Sequence, residues 1–312
     1  MRDAEQMATR VATQLGVPVT EVLVASTGVI GVPLPMSRVM AGIDAALTAL
    51  SPEGGAAAAE AITTTDAAPK LAARELTIPG GVIRVGGMAK GAGMIRPDLG
   101  TMIAVVTTDA TLTHEQAVRI LQRAVDKSFN CITVDGCTST SDTVVLLASG
   151  AIAEELTDAD EAALAEVVSD LCLDLALQIV RDGEGARRIA RWQIIGATDD
   201  ATAKAIAYAV AEAQLVRCAL NGGDPNWGRI IAALGVTGYR IEADRIGITL
   251  GGHVLCRGGV AVPLVDADAV NQAAALDTVE ITIDLGLGSG TAVIWASDLS
   301  SRYVELNAEY TT

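Results

Sequence analysis

The feature that most constrains the fold is the alternation of helix-type and strand-type hydrophobic patterns along the whole chain. No internal repeat or low-complexity linker interrupts this alternation, which is typical of a layered α/β (α+β) architecture. We predict helices at 2–15, 37–50, 55–63, 113–127, 159–181 and 198–217, and a short helix after the segment DPNWGR. We predict strands at 21–26, 143–149, 186–197 and 279–297, two joined by a turn within 71–86, one opening at Thr101, and others between about 237 and 265.

Composition and charge exclude several classes of function. Half of the 312 residues are apolar but only 3% are aromatic, so the core must be aliphatic. A formal net charge of −16 argues against nucleic acid as a partner, because phosphate binding needs a basic face. The longest apolar run is too short to span a bilayer, and the first residues lack the layout of a signal peptide. Five cysteines at scattered spacings indicate reduced thiols, so we expect a cytoplasmic protein.

Few of the usual catalytic arrangements are available to this sequence. His114 lies inside the helix-start segment THEQ and His253 follows two glycines, so both are expected to be structural. The chain therefore offers no base for a Ser-His-Asp or Cys-His arrangement and no metal-ligand spacing. Glycines within 284–295 suggest a dinucleotide fingerprint, but a strand pattern follows them where a helix is required. A hairpin turn is the favoured interpretation there.

The pair Gly100-Thr101 is the most suggestive candidate that remains. An N-terminal threonine carries its own base, because its α-amine can accept the hydroxyl proton at physiological pH. Thr101 would become N-terminal if its Oγ attacked the carbonyl of Gly100, which a glycine leaves sterically open. The alternative is a turn followed by a strand, since Gly-Thr pairs are common.

Three further segments hold polar groups that such a nucleophile needs. Thr27 and Gly28 offer a hydroxyl and an N–H for an oxyanion, on what is otherwise an ordinary turn after a strand. Lys90 suits a carboxylate, although a lysine in a glycine-rich loop is usually only solvated. Thr64 lies in the segment TTTD, which is equally typical of a helix end and a turn.

Taken together, several long motifs in one order resemble the glutamate N-acetyltransferase / ornithine acetyltransferase family of arginine biosynthesis. The resemblance runs from about residue 10 to the C-terminus. Its motifs are STGVIGVPLPM, TTTDAAPK, GGMAKGAGMIRPDLGTMIAVVTTDA, SFNCITVDGCTSTSDTVVLLASG, GGDPNWGRI and DLSSRYVELNAEYTT.

This resemblance implies a self-cleaving acetyltransferase of the N-terminal-nucleophile type with two lobes. The scissile bond would be Gly100-Thr101, leaving an α fragment (1–100) and a β fragment (101–312) paired as α2β2. Thr101 would carry the acetyl group from N-acetylornithine to glutamate, and Thr27 with Gly28 would form the oxyanion hole. The residues that match the family's substrate site are Thr64, Lys90, Thr101, Glu184, Asn307 and Thr312. No metal or prosthetic group is implied, and acetyl-CoA is left open as a second acetyl donor.

The sequence departs from the family's pattern in three places. The family carries a further N-terminal stretch before the region matched here, so we expect a late start or a truncated copy. Gly100 stands where the family usually has alanine, which permits cleavage but alters the strain behind it. Cys137 stands where an acidic residue is commoner, and we expect it to be a small buried thiol.

Two rival functions follow from the same residues. An N-terminal-nucleophile amidohydrolase or aminopeptidase would use the same threonine if water reached the acyl-enzyme. An inactive, truncated homologue would neither cleave itself nor turn over.

Overall fold

The computed structural model describes residues 1–96, 102–264 and 266–309. The helices within these residues are α1 (Arg2–Leu15), α2 (Met36–Thr48), α3 (Gly55–Ala61), α4 (His114–Lys127), α5 (Asp158–Arg181), α6 (Asp200–Ala211), α7 (Gln214–Gly222), α8 (Trp227–Gly235), α9 (Ala267–Ala274) and α10 (Ser301–Glu309). The strands are β1 (Lys70–Ile78), β2 (Gly81–Lys90), β3 (Ile103–Thr111), β4 (Ile132–Thr133), β5 (Thr143–Glu155), β6 (Ile189–Ala197), β7 (Gly247–Leu250), β8 (His253–Arg257), β9 (Val260–Ala261), β10 (Thr278–Asp284) and β11 (Gly290–Ser297). The predicted α/β layering is confirmed.

The first sheet has four strands in the order β1-β2-β3-β5. Strands β1 and β2 form the predicted antiparallel hairpin, and β3 pairs with β5 in parallel. Helix α5 packs so closely on β2 that a Cβ at Gly87 would lie 2.8 Å from a Leu171 methyl. The other face carries exposed side chains such as Leu147. The expectation that 143–149 is a buried strand was therefore wrong, because β5 is the edge strand of a sheet with helices on one face.

The second sheet has seven strands in the order β4-β11-β6-β10-β7-β8-β9, and helix α6 packs on β6 and β11. Strand β10 pairs with β6 in parallel and β11 pairs with β6 antiparallel, so β6 lies between them. The hairpin expected within 284–295 was wrong for this reason. Glycines are needed there because the chain crosses the end of β6, where a Cβ at Gly288 would lie 2.6 Å from the Ala197 carbonyl oxygen.

Most predicted helices are confirmed, and the errors have local causes. The THEQ segment forms a capping box in which Thr113 and Gln116 satisfy each other's backbone N–H groups. The helix expected over 198–217 ends at Ala211 and restarts at Gln214, and at this break Glu212 pairs with Arg96 at 3.0 Å. The strand expected at 21–26 has no pairing partner in the described part of the chain. No helix in the described ranges is long and apolar enough to cross a bilayer.

Candidate active site

A cavity of about 450 Å³ lies where the end of β2, the loop after α3, the loop after α5 and helix α10 come together. It gathers six of the predicted site residues, namely Thr27, Gly28, Thr64, Lys90, Glu184 and Asn307. A larger cavity of about 950 Å³ lies on the uncovered face of the four-stranded sheet and contains none of them. Gly100, Thr101 and Thr312 lie outside the described residues.

Lys90 ends strand β2 and is only 2% exposed, so its ammonium group belongs to the wall of the cavity. It stands opposite Ile103 in the sheet register. Burial lowers the pKa of Lys90, and the charge of Lys70 lowers it further, whereas nearby carboxylates raise it. The alternative that Lys90 is merely a solvated loop lysine was wrong, because the residue is buried and lines a polar pocket.

The backbone of the short loop after β2 is hydrogen-bonded to a carboxylate that was not among the predicted site residues. Asp135 accepts hydrogen bonds from the backbone N–H groups of Met94 (2.8 Å), Ile95 (3.2 Å) and Cys137 (3.0 Å). Met94 has a φ of +50°, a conformation that a residue with a side chain rarely adopts. Burial raises the pKa of Asp135, although these three hydrogen bonds oppose that rise. Asp135 thus shapes the pocket wall by satisfying the backbone of a strained loop.

Glu184 lies between this loop and the C-terminal helix. Its backbone N–H donates to the carbonyl oxygen of Ala92 at 2.9 Å, and its carboxylate accepts a hydrogen bond of 2.9 Å from the amide of Asn307. A Cβ at Gly93 would lie only 2.7 Å from the Glu184 carboxyl carbon. A side chain at position 93 would therefore push the carboxylate of Glu184 away from the loop backbone.

Tyr303 is the second residue of the pocket that the sequence analysis missed. It lies one helical turn before Asn307 on α10 and lines the same cavity. The guanidinium of the buried Arg217 lies over its ring at 6.0 Å. Burial raises the pKa of Tyr303 to about 12, so its hydroxyl is a neutral donor at physiological pH. The i, i+4 spacing of Tyr303 and Asn307 on a C-terminal helix was the available signal.

The expectations for His114 and Cys137 can also be compared with the structure. His114 is exposed at the start of α4, as expected. Cys137 is exposed and lines the cavity, so the expectation of a buried thiol was wrong. Its backbone N–H donates to the Asp135 carboxylate, so the residue is held in the turn beside the pocket. Within the described ranges no group of three His, Cys, Asp or Glu side chains is arranged to hold a metal ion.

A pocket that combines hydroxyl groups, a buried lysine and an amide-oriented carboxylate is suited to a small substrate with charges of both signs. The ArgJ family profile matches residues 1–312, and the chain belongs to the ArgJ family. The arginine biosynthesis bifunctional proteins ArgJ of a Synechococcus strain and of Symbiobacterium thermophilum are 46% and 45% identical to it. The aligned regions cover 99% and 100% of this chain, and 77% and 78% of those relatives.

A solved structure gives the same result at the level of the fold. The crystal structure of arginine biosynthesis bifunctional protein argJ from Bacillus halodurans matches with a TM-score of 0.62 at 37% identity. The match covers 66% of this chain and 98% of that one.

Proposed function

We propose that this protein transfers the acetyl group of N-acetylornithine to glutamate through an acetyl ester on Thr101. Membership of the ArgJ family places it among the acetyltransferases of arginine biosynthesis. The observation that carries the assignment to this site is the single cavity that gathers Thr27, Gly28, Thr64, Lys90, Glu184 and Asn307 from segments far apart in the sequence.

The first half-reaction moves the acetyl group from nitrogen to oxygen. The Oγ of Thr101 attacks the acetyl carbonyl, and its proton passes through the Thr101 α-amine to the departing amine of ornithine. The Thr27 hydroxyl and the Gly28 N–H stabilise the oxyanion of the tetrahedral intermediate. Collapse of this intermediate breaks the C–N bond and leaves acetyl-Thr101.

In the second half-reaction the amine of glutamate attacks the ester carbonyl. The C–O bond to Thr101 breaks, the hydroxyl regains a proton, and N-acetylglutamate leaves. Both substrates carry an α-carboxylate, which suits the buried ammonium group of Lys90. Glu184, oriented by Asn307, suits the cationic side chain of ornithine. Thr64 and the C-terminal Thr312 are assigned to substrate binding on the family resemblance.

The nucleophile is released by cleavage of the Gly100-Thr101 bond. Thr101 Oγ attacks the Gly100 carbonyl, the peptide becomes an ester, and water hydrolyses the ester to free the α-amine. Two observations support this step. The backbone just after the bond is fixed, because Met102 N–H donates to Asp142 at 2.5 Å and Thr143 N–H donates to the Met102 carbonyl at 2.9 Å. The solved Bacillus halodurans chain is also about two thirds as long as this one, as the fragment 101–312 would be.

In the active form, fragments 1–100 and 101–312 remain associated as a cytoplasmic α2β2 assembly that uses no metal or prosthetic group. Acetyl-CoA, where it serves, acts as an alternative acetyl donor to the same threonine.

The test is acetyl transfer from N-[¹⁴C]acetylornithine, with and without glutamate, and in a parallel arm from acetyl-CoA. We expect N-acetylglutamate, parallel lines in double-reciprocal plots, and no product from Thr101→Ala. Thr107→Ala, which removes a threonine hydroxyl from the exposed face of strand β3, is the control and retains activity. Release of acetate as the main product would instead identify an amidohydrolase, and turnover by Thr101→Ala would overturn the proposal.

A further inference from the structure

Beneath the pocket lies a buried cluster of three charged side chains, formed by Asp66, Lys70 and Asp182. The ammonium group of Lys70 uses all three of its donors, binding Asp66 Oδ1 at 2.6 Å, Asp182 Oδ2 at 2.6 Å and the Ala68 carbonyl at 3.3 Å. The side chain of Lys70 is 3% exposed and that of Asp66 is fully buried. The cluster therefore has little screening by solvent.

Each carboxylate of this cluster is tied to a different wall of the pocket. Asp66 accepts hydrogen bonds from the backbone N–H groups of Thr64 (3.0 Å) and Gly91 (2.6 Å). Asp182 ends helix α5 two residues before Glu184, and it accepts a hydrogen bond of 3.0 Å from Ala67. One ion network thus joins the loop of Thr64, the end of the strand that carries Lys90, and the segment that carries Glu184.

The same cluster acts on the charge of Lys90. Burial has the largest effect on the pKa of Lys90 and lowers it; the negative charges of Asp66, Asp142 and Glu184 raise this pKa, and the positive charge of Lys70 lowers it. Asp66 comes close because its carboxylate binds the N–H of the next residue, Gly91. Lys70 comes close because it stands opposite Ala89 in the register of β1 and β2.

We propose that Asp66 and Lys70 are positioning residues for acetyl transfer, which hold the Thr64, Lys90 and Glu184 walls of the pocket together through their ion pairs and backbone hydrogen bonds. The part that concerns substrate rests on the proposed function; the effect on Lys90 does not. A purely structural role predicts that both substitutions destabilise the fold, because breaking a buried ion pair from either side acts in the same direction. It predicts no opposite shifts in the titration midpoint of Lys90. The two signs separate the two accounts.

The protonation of Lys90 can be measured directly, since the chain has only four lysines: Lys70, Lys90, Lys127 and Lys204. Lysine labelled with ¹³C at Cε gives four NMR signals, which Lys90→Arg and Lys70→Arg assign. We expect Asp66→Asn to move the titration midpoint of Lys90 to lower pH. Adding Lys70→Met to that variant should move the midpoint back up.

The double variant keeps the test decisive if Lys70→Met alone does not fold, because it removes the buried Asp66–Lys70 pair from both sides. Asp182 then loses its contact with Lys70, but its side chain is 17% exposed and can be hydrated. Asp170→Asn is the matched control: it removes an ion pair of 2.6 Å between the same strand β1 and the same helix α5, outside the pocket. We expect its Lys90 midpoint to equal that of the wild type. Shifts of the same sign from the two cluster changes, or none beyond the control, would overturn the proposal.

A kinetic arm connects the cluster with substrate binding. In Asp66→Asn, the KM for N-acetylornithine should rise about tenfold and begin to rise at a lower pH than in the wild type, as expected for a weakened charge-assisted contact. The NMR result stands even if the enzyme proves to use another substrate. An NMR shift with an unchanged KM profile would therefore overturn only the role in substrate binding.

Discussion

The hydrogen bonds of Asp135 allow one substitution to be worked out in detail. In Asp135→Asn the side-chain amide keeps one acceptor oxygen where the carboxylate has two. If that oxygen continues to accept from Ile95 and Cys137, the new NH2 group faces the N–H of Met94, and two donors meet.

The magnitude follows from three contributions. A buried backbone donor left unsatisfied costs about 1–3 kcal/mol. The two remaining hydrogen bonds lose the assistance of the negative charge, which roughly halves their strength. Burial disfavours the charged carboxylate of Asp135 and so raises its pKa. The neutral amide avoids this cost, which offsets part of the loss. We expect a net loss of about 2 kcal/mol in the free energy of unfolding.

We expect Asp135→Asn to lower catalytic efficiency more than it lowers stability. The hydrogen bond from Met94 to Asp135 stabilises the unfavourable φ of +50° at Met94. Without it, we expect the loop that faces Glu184 to relax. Displacing a site residue by about 1 Å can cost on the order of a hundredfold, so we expect kcat/KM to fall ten- to a hundredfold. Urea unfolding and acetyl-transfer kinetics measure the two effects. Asp126→Asn, on the exposed side of α4, is the control and should stay within about 0.5 kcal/mol. A variant at Asp135 with wild-type stability and wild-type kcat/KM would refute the role given to this carboxylate.

Further predictions concern the pocket's close contacts and its response to pH. Gly93→Ala should lower kcat/KM more than tenfold with little change in the urea midpoint, because its Cβ would displace the Glu184 carboxylate; unchanged kinetics would argue against that contact. Gly185→Ala should unfold at lower urea concentration, because its φ is +70° and its Cβ would lie 2.5 Å from the Tyr303 nitrogen; a wild-type midpoint would contradict this. Burial raises the pKa of Asp66, but its hydrogen bonds outweigh this effect and leave the pKa below its ordinary value. The stabilisation from Asp66 is therefore present above about pH 4 and lost as the pH falls through the lower folded-state pKa. Urea midpoints measured from pH 6 down to pH 3 should fall less steeply in Asp66→Asn, and equal slopes would count against this reading.

The sequence predicts those parts of the fold that are determined by local patterns. The capping box at Thr113 and the hairpin turn before Gly81 carry their own signals, and both are found where predicted. The position of β6 between β10 and β11 carries no local signal, because it depends on which strands pair across the chain. The same limit explains β5, whose apolar sequence cannot show that its sheet has one uncovered face.

The residues of the candidate site also differ in whether a local sequence signal could predict them. Lys90 was predicted from its own segment and from the family resemblance, and Glu184 from the family resemblance alone; the structure brings both to one cavity. Asp135 lies inside the motif SFNCITVDGCTSTSDTVVLLASG but was not predicted as a site residue. Its role depends on backbone N–H groups some 40 residues away in the sequence. Tyr303 was missed because its contribution depends on Arg217, which packs behind its ring from another helix.

The most direct test of the central claim is the intact mass of the purified protein, with N-terminal sequencing of every fragment. If Thr101 is freed by cleavage after Gly100, the 31.9 kDa chain gives pieces of roughly 10 and 22 kDa, and the larger begins Thr-Met-Ile-Ala. Thr101→Ser should cleave as well, because it keeps the hydroxyl group, and Thr101→Ala should remain whole. A wild-type chain that stays intact while it transfers acetyl groups, or a cleaved Thr101→Ala, would contradict the account.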